Sequence, residues 1–76
     1  MEKTDFNKTL GAWIKEVREQ KGTQSDVATL MEMDAQNLSK YERGLISPTV
    51  FWIHKFCNAT GTDFSEFMSE FGNRKM

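Results

Sequence analysis

The sequence predicts a compact all-α domain built from five short helices. Apolar residues recur at spacings of three and four along the chain, which is the period of one helix face. Glycines and a single proline divide the 76 residues into short segments, and no segment alternates as a strand would. Because 38% apolar residues suffice for one small core, we expect a single domain over residues 1–76, with its core between about 6 and 71.

The first three helices are predicted from apolar stripes and from capping residues. The first is expected over residues 6–20. Its buried face would hold Phe6, Leu10, Trp13, Ile14 and Val17. Thr23 is expected to cap a second helix over 24–31, and Asp34 is expected to cap a third over 35–43.

Two further helices are predicted in the second half of the chain. Ser47 is expected to cap the fourth, with Pro48 as its first residue. Its buried face would hold Val50, Ile53, Phe56 and Cys57. The fifth is expected to begin at Asp63, with Glu66 as the partner in a capping box, and residues 72–76 are expected to fray. Its apolar stripe would be Phe64, Phe67, Met68 and Phe71.

Composition excludes several classes of function. Ten basic against eleven acidic residues give a net charge of −1, which argues against a strongly basic coat protein for nucleic acid. No apolar run is long enough to cross a bilayer and the N-terminus lacks an apolar signal core, so we expect a cytoplasmic protein. Cys57 and His54, the sole cysteine and histidine, are too few for a zinc site. No catalytic arrangement is visible, so the sequence predicts neither an enzyme nor a cofactor or small-molecule ligand.

The most informative stretch is 24–43, which reads as a short helix, a tight turn and a second short helix. A small side chain at Ala28 lets the two helices approach closely, and Leu38 and Tyr41 would anchor the second helix from beneath. Its outward side would then carry Gln36, Asn37, Lys40 and Arg43. Gln and Asn pair with adenine, Lys reaches the acceptors of guanine, and an α-helix fits the major groove. This face therefore suits duplex DNA.

The same stretch carries a family resemblance. Its most specific parts are Thr-Gln-x-x-apolar-Ala at 23–28 and Tyr-Glu-Arg-Gly at 41–44, followed by Ser-Pro-Thr at 47–49. Over about 10–68 the sequence resembles the Cro/repressor-type helix-turn-helix family, also called the xenobiotic-response-element family. The resemblance implies a lambda-repressor-like fold of five helices with the helix-turn-helix at 24–43. It also implies a regulator of transcription from a prokaryote or phage, most often a repressor, that binds double-stranded DNA as a homodimer.

The resemblance implies a role for each matching residue. The residues that would face the bases are Ala35, Gln36, Asn37 and Lys40. Ala35 would touch a thymine methyl group. The residues that would hold backbone phosphates are Thr23, Gln24 and Arg43. Arg18 and Glu42 match a partly buried ion pair that ties the first helix to the end of the third.

Three departures from the family pattern keep a second function open. Glu32 stands where the family has a glycine in the turn, and a left-handed backbone there costs a glutamate roughly 1 kcal/mol. The stretch 18–24 is one residue shorter than usual, which would shift the phosphate-binding loop. The stretch 24–43 has a formal charge of −2, so attraction to DNA would be modest for a single copy. The alternative is a module or antitoxin that keeps this fold, binds DNA weakly and binds a protein partner.

Phe51 and Trp52 also have two interpretations. On the predicted fourth helix Phe51 points away from the core and Trp52 lies at its flank. Both could form a surface for self-association, since exposed aromatic residues favour interfaces. Alternatively, Trp52 folds over the edge of the core and Phe51 is a single exposed aromatic side chain.

Overall fold

A computed structural model of the chain describes residues 2–75, with side chains to Asn73. These residues form five helices and no strand, as the sequence predicts. In chain order they are α1 (Lys3–Glu19), α2 (Gln24–Leu30), α3 (Ala35–Glu42), α4 (Val50–Thr60) and α5 (Phe64–Lys75). The radius of gyration of 11.3 Å is that of a compact folded chain of this length. None of the helices over 2–75 is both long and apolar enough to span a membrane.

The core is contributed by all five helices. Ile14, Leu38 and Phe56 are its most completely buried side chains, each with an exposed fraction of 0%, and Phe67 is 1% exposed. Aromatic rings meet across helix pairs: the Trp13 and Phe67 ring centroids are 5.8 Å apart, and the Trp13 indole N–H donates to the carbonyl of Phe67 at 3.2 Å. Phe6 meets Phe71 edge-on at 5.6 Å. The N-terminal and C-terminal helices are therefore joined by aromatic contacts.

Helix α4 begins later than the sequence predicts. Its N-cap is Thr49, whose hydroxyl accepts from the amide of Trp52 at 3.0 Å. Ser47 has a different role, because its hydroxyl donates to Oδ1 of Asn7 on α1 at 2.7 Å. The prediction of Ser47 as cap is therefore wrong, and so is the prediction of Val50 as a core residue, since Val50 is 65% exposed.

Two other helix ends also differ from expectation. Helix α1 begins at Lys3, three residues before the first apolar residue of its stripe. Helix α5 continues through Lys75 where fraying from Gly72 is expected, and Met76 lies outside the described residues. The Asp63 cap of α5 is confirmed, because its carboxylate accepts from the amide of Glu66 at 3.0 Å.

A glycine in the middle of α1 allows α1 to pack closely against the end of α3. Gly11 is buried, and a Cβ atom added there would lie 2.5 Å from the carbonyl oxygen of Tyr41 and 2.6 Å from that of Glu42. Only a residue without a side chain fits this crossing. The C-terminal end of α3 therefore packs directly against the backbone of α1 at Gly11.

Candidate nucleic-acid interface

Helices α2 and α3 are each started by a side-chain cap. The Thr23 hydroxyl accepts from the amide of Asp26, and the Asp26 carboxylate accepts in return from the amide of Thr23, both at 3.1 Å. Asp34 caps α3, since its Oδ1 accepts from the amide of Gln36 at 3.0 Å. Both predicted caps, Thr23 and Asp34, are confirmed. At the start of α2 the reciprocal bonds between Thr23 and Asp26 form a capping box.

The turn between α2 and α3 is left-handed at Glu32, whose φ is 57°. The amide of Met33 donates to the carbonyl of Ala28 at 2.9 Å, and the amide of Glu32 donates to that of Thr29 at 3.1 Å. This pair of bonds is the Schellman ending, which usually has glycine at the left-handed position. Gly44 ends α3 in the same manner. The turn geometry is thus kept although a glutamate occupies it.

Helix α3 is anchored on one side and exposed on the other. Leu38 is completely buried, and the Tyr41 ring stacks on Trp52 at a centroid distance of 4.1 Å. The exposed side chains are Gln36, Asn37, Lys40 and Arg43. Gln36 and Lys40 line a shallow groove of about 270 Å³ between α3 and the start of α2. Its other lining residues are Gln24, Ala35, Ser39 and Arg43.

The groove brings together five of the seven residues assigned to DNA contact, and the two that do not line it are Thr23 and Asn37. Asn37 is exposed but does not line the groove, so it lies toward the Tyr41 side of α3. Ser39 lines the groove and was missed by the sequence analysis, which placed only four α3 residues on the outward side. Its spacing of three from Gln36 was the available signal, since residues three apart share a helix face.

Arg18 and Glu42 form the predicted ion pair, and it is bidentate. Arg18 Nε donates to Glu42 Oε2 at 2.9 Å and Nη2 donates to Oε1 at 3.0 Å, with both side chains at least nine-tenths buried. The hydrogen bond to Glu42 raises the pKa of Arg18 above its usual value, against the opposing effect of burial. The Arg18 guanidinium therefore stays charged, and its bonds to Glu42 join α1 to the end of α3.

Two further hydrogen bonds extend this pair to the start of α2. The Gln24 amide nitrogen donates to Glu42 Oε1 at 3.0 Å, and Arg18 Nη1 donates to the carbonyl of Gly22 at 3.2 Å. The short connection between α1 and α2 is thereby held by a side chain of α1. Because an amide nitrogen has two hydrogens, Gln24 retains one for another acceptor.

The surface around the start of α4 is apolar. Phe51 is 73% exposed and Leu45 is 61% exposed, and both lie close in sequence to the exposed Val50. The assignment of Trp52 to this surface is wrong: its side chain is 9% exposed and its ring lies between those of Tyr41 and Phe56. The buried face of α4 therefore includes Trp52, which packs against Tyr41 of α3. The apolar pattern within α4 alone does not reveal this contact with another helix.

The side chains of Cys57 and His54 are packed against other parts of the protein. Cys57 is buried, and its burial, together with the charge of Asp63, raises the pKa of the thiol to about 11. The His54 ring stacks on Phe64 at a centroid distance of 4.0 Å. Within residues 2–75 no three His, Cys, Asp or Glu side chains are grouped so that they could hold a metal ion.

A short helix, a left-handed turn and an exposed second helix define a helix-turn-helix domain. A family model described as helix-turn-helix matches residues 14–67, which is more than half of the chain. The chain belongs to this family, of the Cro/C1 type. The motif is a DNA-binding one, and the protein is by class a DNA-binding regulator of transcription.

A solved structure shares the fold. The clp gene regulator ClgR from C. glutamicum is similar over 92% of this chain and 92% of that chain, with a TM-score of 0.82 and 24% sequence identity. At this identity the likeness establishes a common fold alone. No significant match was found among curated proteins.

Proposed function

We propose that the protein is a sequence-specific repressor of transcription that binds double-stranded DNA as a homodimer in the cytoplasm of a prokaryotic or phage-infected cell. The observation that carries this proposal is the exposed face of α3, where Gln36 and Lys40 share a groove with Gln24 and Arg43. Hydrogen-bonding side chains on a rigid helix are what reading base edges requires. Repression would follow from occupation of a promoter.

Each side chain on this face has a proposed contact. Gln36 and Asn37 would bind adenine, Lys40 would bind guanine acceptors, and Ala35 would touch a thymine methyl group. Backbone phosphates would be held by the Thr23 hydroxyl and the remaining amide hydrogen of Gln24, and by the Arg43 guanidinium, which is exposed. These phosphate contacts would position α3 in the major groove without reading sequence.

The net charge supports a dimer over a single copy. In 24–43 the two exposed cations Lys40 and Arg43 are outnumbered by the carboxylates of Asp26, Glu32 and Asp34, since Glu42 is paired with Arg18. Few phosphates would be neutralised by one copy, and two copies on adjacent half-sites double the contacts. Half-sites read by a two-fold dimer would lie one helical turn, about 34–36 Å, apart.

The proposal is tested by selecting bound duplexes from a random pool and titrating the winner at two salt concentrations. An enriched palindrome whose affinity falls as salt rises is the expected result. Gln36→Ala should then cost roughly 1–3 kcal/mol at one base pair and relax the preference there, whereas Arg43→Ala should weaken all sequences about equally. Absence of enrichment with folded protein would overturn the proposal.

The homodimer is proposed to form through the apolar surface around Phe51, with Leu45 and Val50 beside it in the chain. Three strongly exposed apolar side chains within seven residues of the chain mark interaction sites more often than isolated ones do. Phe51→Ser should weaken self-association measured by sedimentation. Leu30→Ser is the matched control, because Leu30 is 65% exposed on α2 and is not part of this surface. Equal dimer constants for the wild type and Phe51→Ser would remove this interface.

The excess of carboxylates favours one alternative: a protein-binding module or antitoxin with weak DNA binding. Such a protein would retain a partner through the Phe51 surface and would be nearly indifferent to duplex DNA. The same titration separates the two, because a DNA-binding repressor binds a selected duplex tightly and loses affinity steeply as salt rises, whereas the module binds every duplex only weakly.

A further inference from the structure

The two ends of α3 have opposite charge. The first turn follows Glu32 and Asp34, both exposed carboxylates, and the last turn carries Lys40, with Arg43 at the C-cap. Between them Gln36 and Ser39 are uncharged. The cations line the groove beside Gln24, and neither Glu32 nor Asp34 is among the residues that line it.

The N-terminal amides of α3 are also occupied by the chain itself. A helix N-terminus normally attracts phosphate because its amides lack partners and its dipole is positive there. Here Asp34 Oδ1 accepts from the amide of Gln36 at 3.0 Å and brings a full negative charge to that end. The N-terminal side of α2 is similar, because the Asp26 carboxylate accepts from the amide of Thr23. By contrast α4 is capped by the neutral hydroxyl of Thr49.

We propose that Asp34 excludes DNA phosphates from the N-terminal end of α3 and so places phosphate anchoring in the groove, at the side chains of Gln24, Ser39 and Arg43. This rests on the proposed binding of duplex DNA. Asp34 is then a positioning residue that lowers affinity for every sequence by the same factor, because phosphates carry no sequence information.

Asp34→Asn tests the proposal, because Asn caps a helix as well as Asp does but carries no charge. The probe is a random-sequence duplex titrated with the full chain at low and moderate salt. The variant should bind about two- to fivefold more tightly at low salt, and the gain should shrink as salt rises, since a unit charge near a phosphate is screened. Asp34→Ser, which also retains a cap, should behave in the same way.

Asp63→Asn is the matched control. Asp63 is also an exposed N-cap: its carboxylate accepts from the amide of Glu66 at 3.0 Å, three residues on, whereas Asp34 accepts from the amide two residues on. Neutralising Asp63 changes the net charge by the same amount. It should leave DNA affinity nearly unchanged, which separates a local effect from that of net charge. Equal gains for both variants would overturn the assignment of Asp34.

Three other outcomes are informative. If the wild type and Asp34→Asn bind with equal constants, the assignment of Asp34 fails while DNA binding stands. If Asp34→Asn weakens only a selected operator and leaves the random duplex unaffected, Asp34 accepts from a cytosine amino group and the exclusion is wrong. If neither the wild type nor any variant binds a duplex at low salt, the proposed function itself fails.

Discussion

Gly11 lies directly against the backbone of Tyr41, so that a Cβ atom at position 11 would be 2.5 Å from the Tyr41 carbonyl oxygen. Helix α1 therefore supports α3 at the turn that precedes its Schellman ending. The contact is between backbones, and neither can move away without displacing a helix. The orientation of the exposed face of α3 depends on the absence of one methyl group.

Gly11→Ala should destabilise the domain although alanine is the better helix former. The gain in helix propensity is about 1 kcal/mol, and forcing a methyl group against two carbonyl oxygens costs about 1–3 kcal/mol. Gly72→Ala is the matched control, because Gly72 is within α5 and a Cβ there meets nothing within 4 Å. Urea unfolding should show a loss for the first variant and a gain for the second. Stabilisation by both would contradict the close approach.

Glu32→Gly should raise the free energy of unfolding by up to about 1 kcal/mol. Glycine adopts the left-handed φ of 57° without the penalty that a Cβ incurs, and part of this gain is lost to the greater entropy of glycine in the unfolded chain. Glu32→Ala removes the carboxylate but keeps the Cβ, so it should not share the gain. Thermal unfolding of the three proteins measures the difference, and equal gains from both variants would attribute the effect to charge.

Removing one member of the buried ion pair should be costly. Glu42→Gln leaves the Arg18 guanidinium buried without a counter-charge, and a loss of about 3–5 kcal/mol is expected, a large share of the stability of a small domain. The double variant Arg18→Met with Glu42→Leu should recover much of this loss, because it leaves no unpaired charge. Chemical denaturation of the wild type, Arg18→Met, Glu42→Leu and the double variant completes a double-mutant cycle and gives the coupling. Additive losses would mean that the two side chains do not depend on each other.

Alkaline pH should destabilise the domain through Cys57. Burial, together with the charge of Asp63, raises the pKa of the folded Cys57 thiol to about 11 from an ordinary value of 9.0, so the unfolded chain releases this proton at lower pH. The stabilising contribution is complete below pH 9 and is lost as the pH rises toward 11, by at most about 1.4 kcal/mol per pH unit. Cys57→Ala lacks this dependence while keeping every lysine. The difference between the unfolding free energies of the wild type and Cys57→Ala should therefore narrow between about pH 9 and 11. If the two free energies fall in parallel over this range, the loss does not come from Cys57.

Local patterns were sufficient for the helices and most caps. Thr23, Asp34 and Asp63 cap as predicted because an N-cap depends on a few neighbouring residues. At α4 the same reasoning predicted Ser47 as the cap and Pro48 as the first helical residue, whereas the structure has Thr49 as the cap. The Ser47 hydroxyl donates instead to Asn7 on α1. These two residues are 40 positions apart, so the sequence around α4 gives no sign of this contact.

The site was predictable to the extent that it lies on one helix. The outward position of Gln36 and Lys40 follows from the burial of Leu38 by helical period alone. The bond from Gln24 to Glu42 joins residues 18 positions apart, and the burial of Trp52 depends on a ring of α3. Such contacts are set by how helices cross, which the periodicity of a single helix does not determine.

The exposed side chains of α3 are separate from the contacts that hold α3 in place. Leu38, Tyr41 and Glu42 bind the helix to the rest of the protein, while Gln36 and Lys40 point into solvent. The side chains proposed to contact bases can therefore change during evolution without loss of folding. The same partition makes the protein a scaffold for retargeting: a library varied at the outward positions should consist largely of folded members, each with its own preferred duplex.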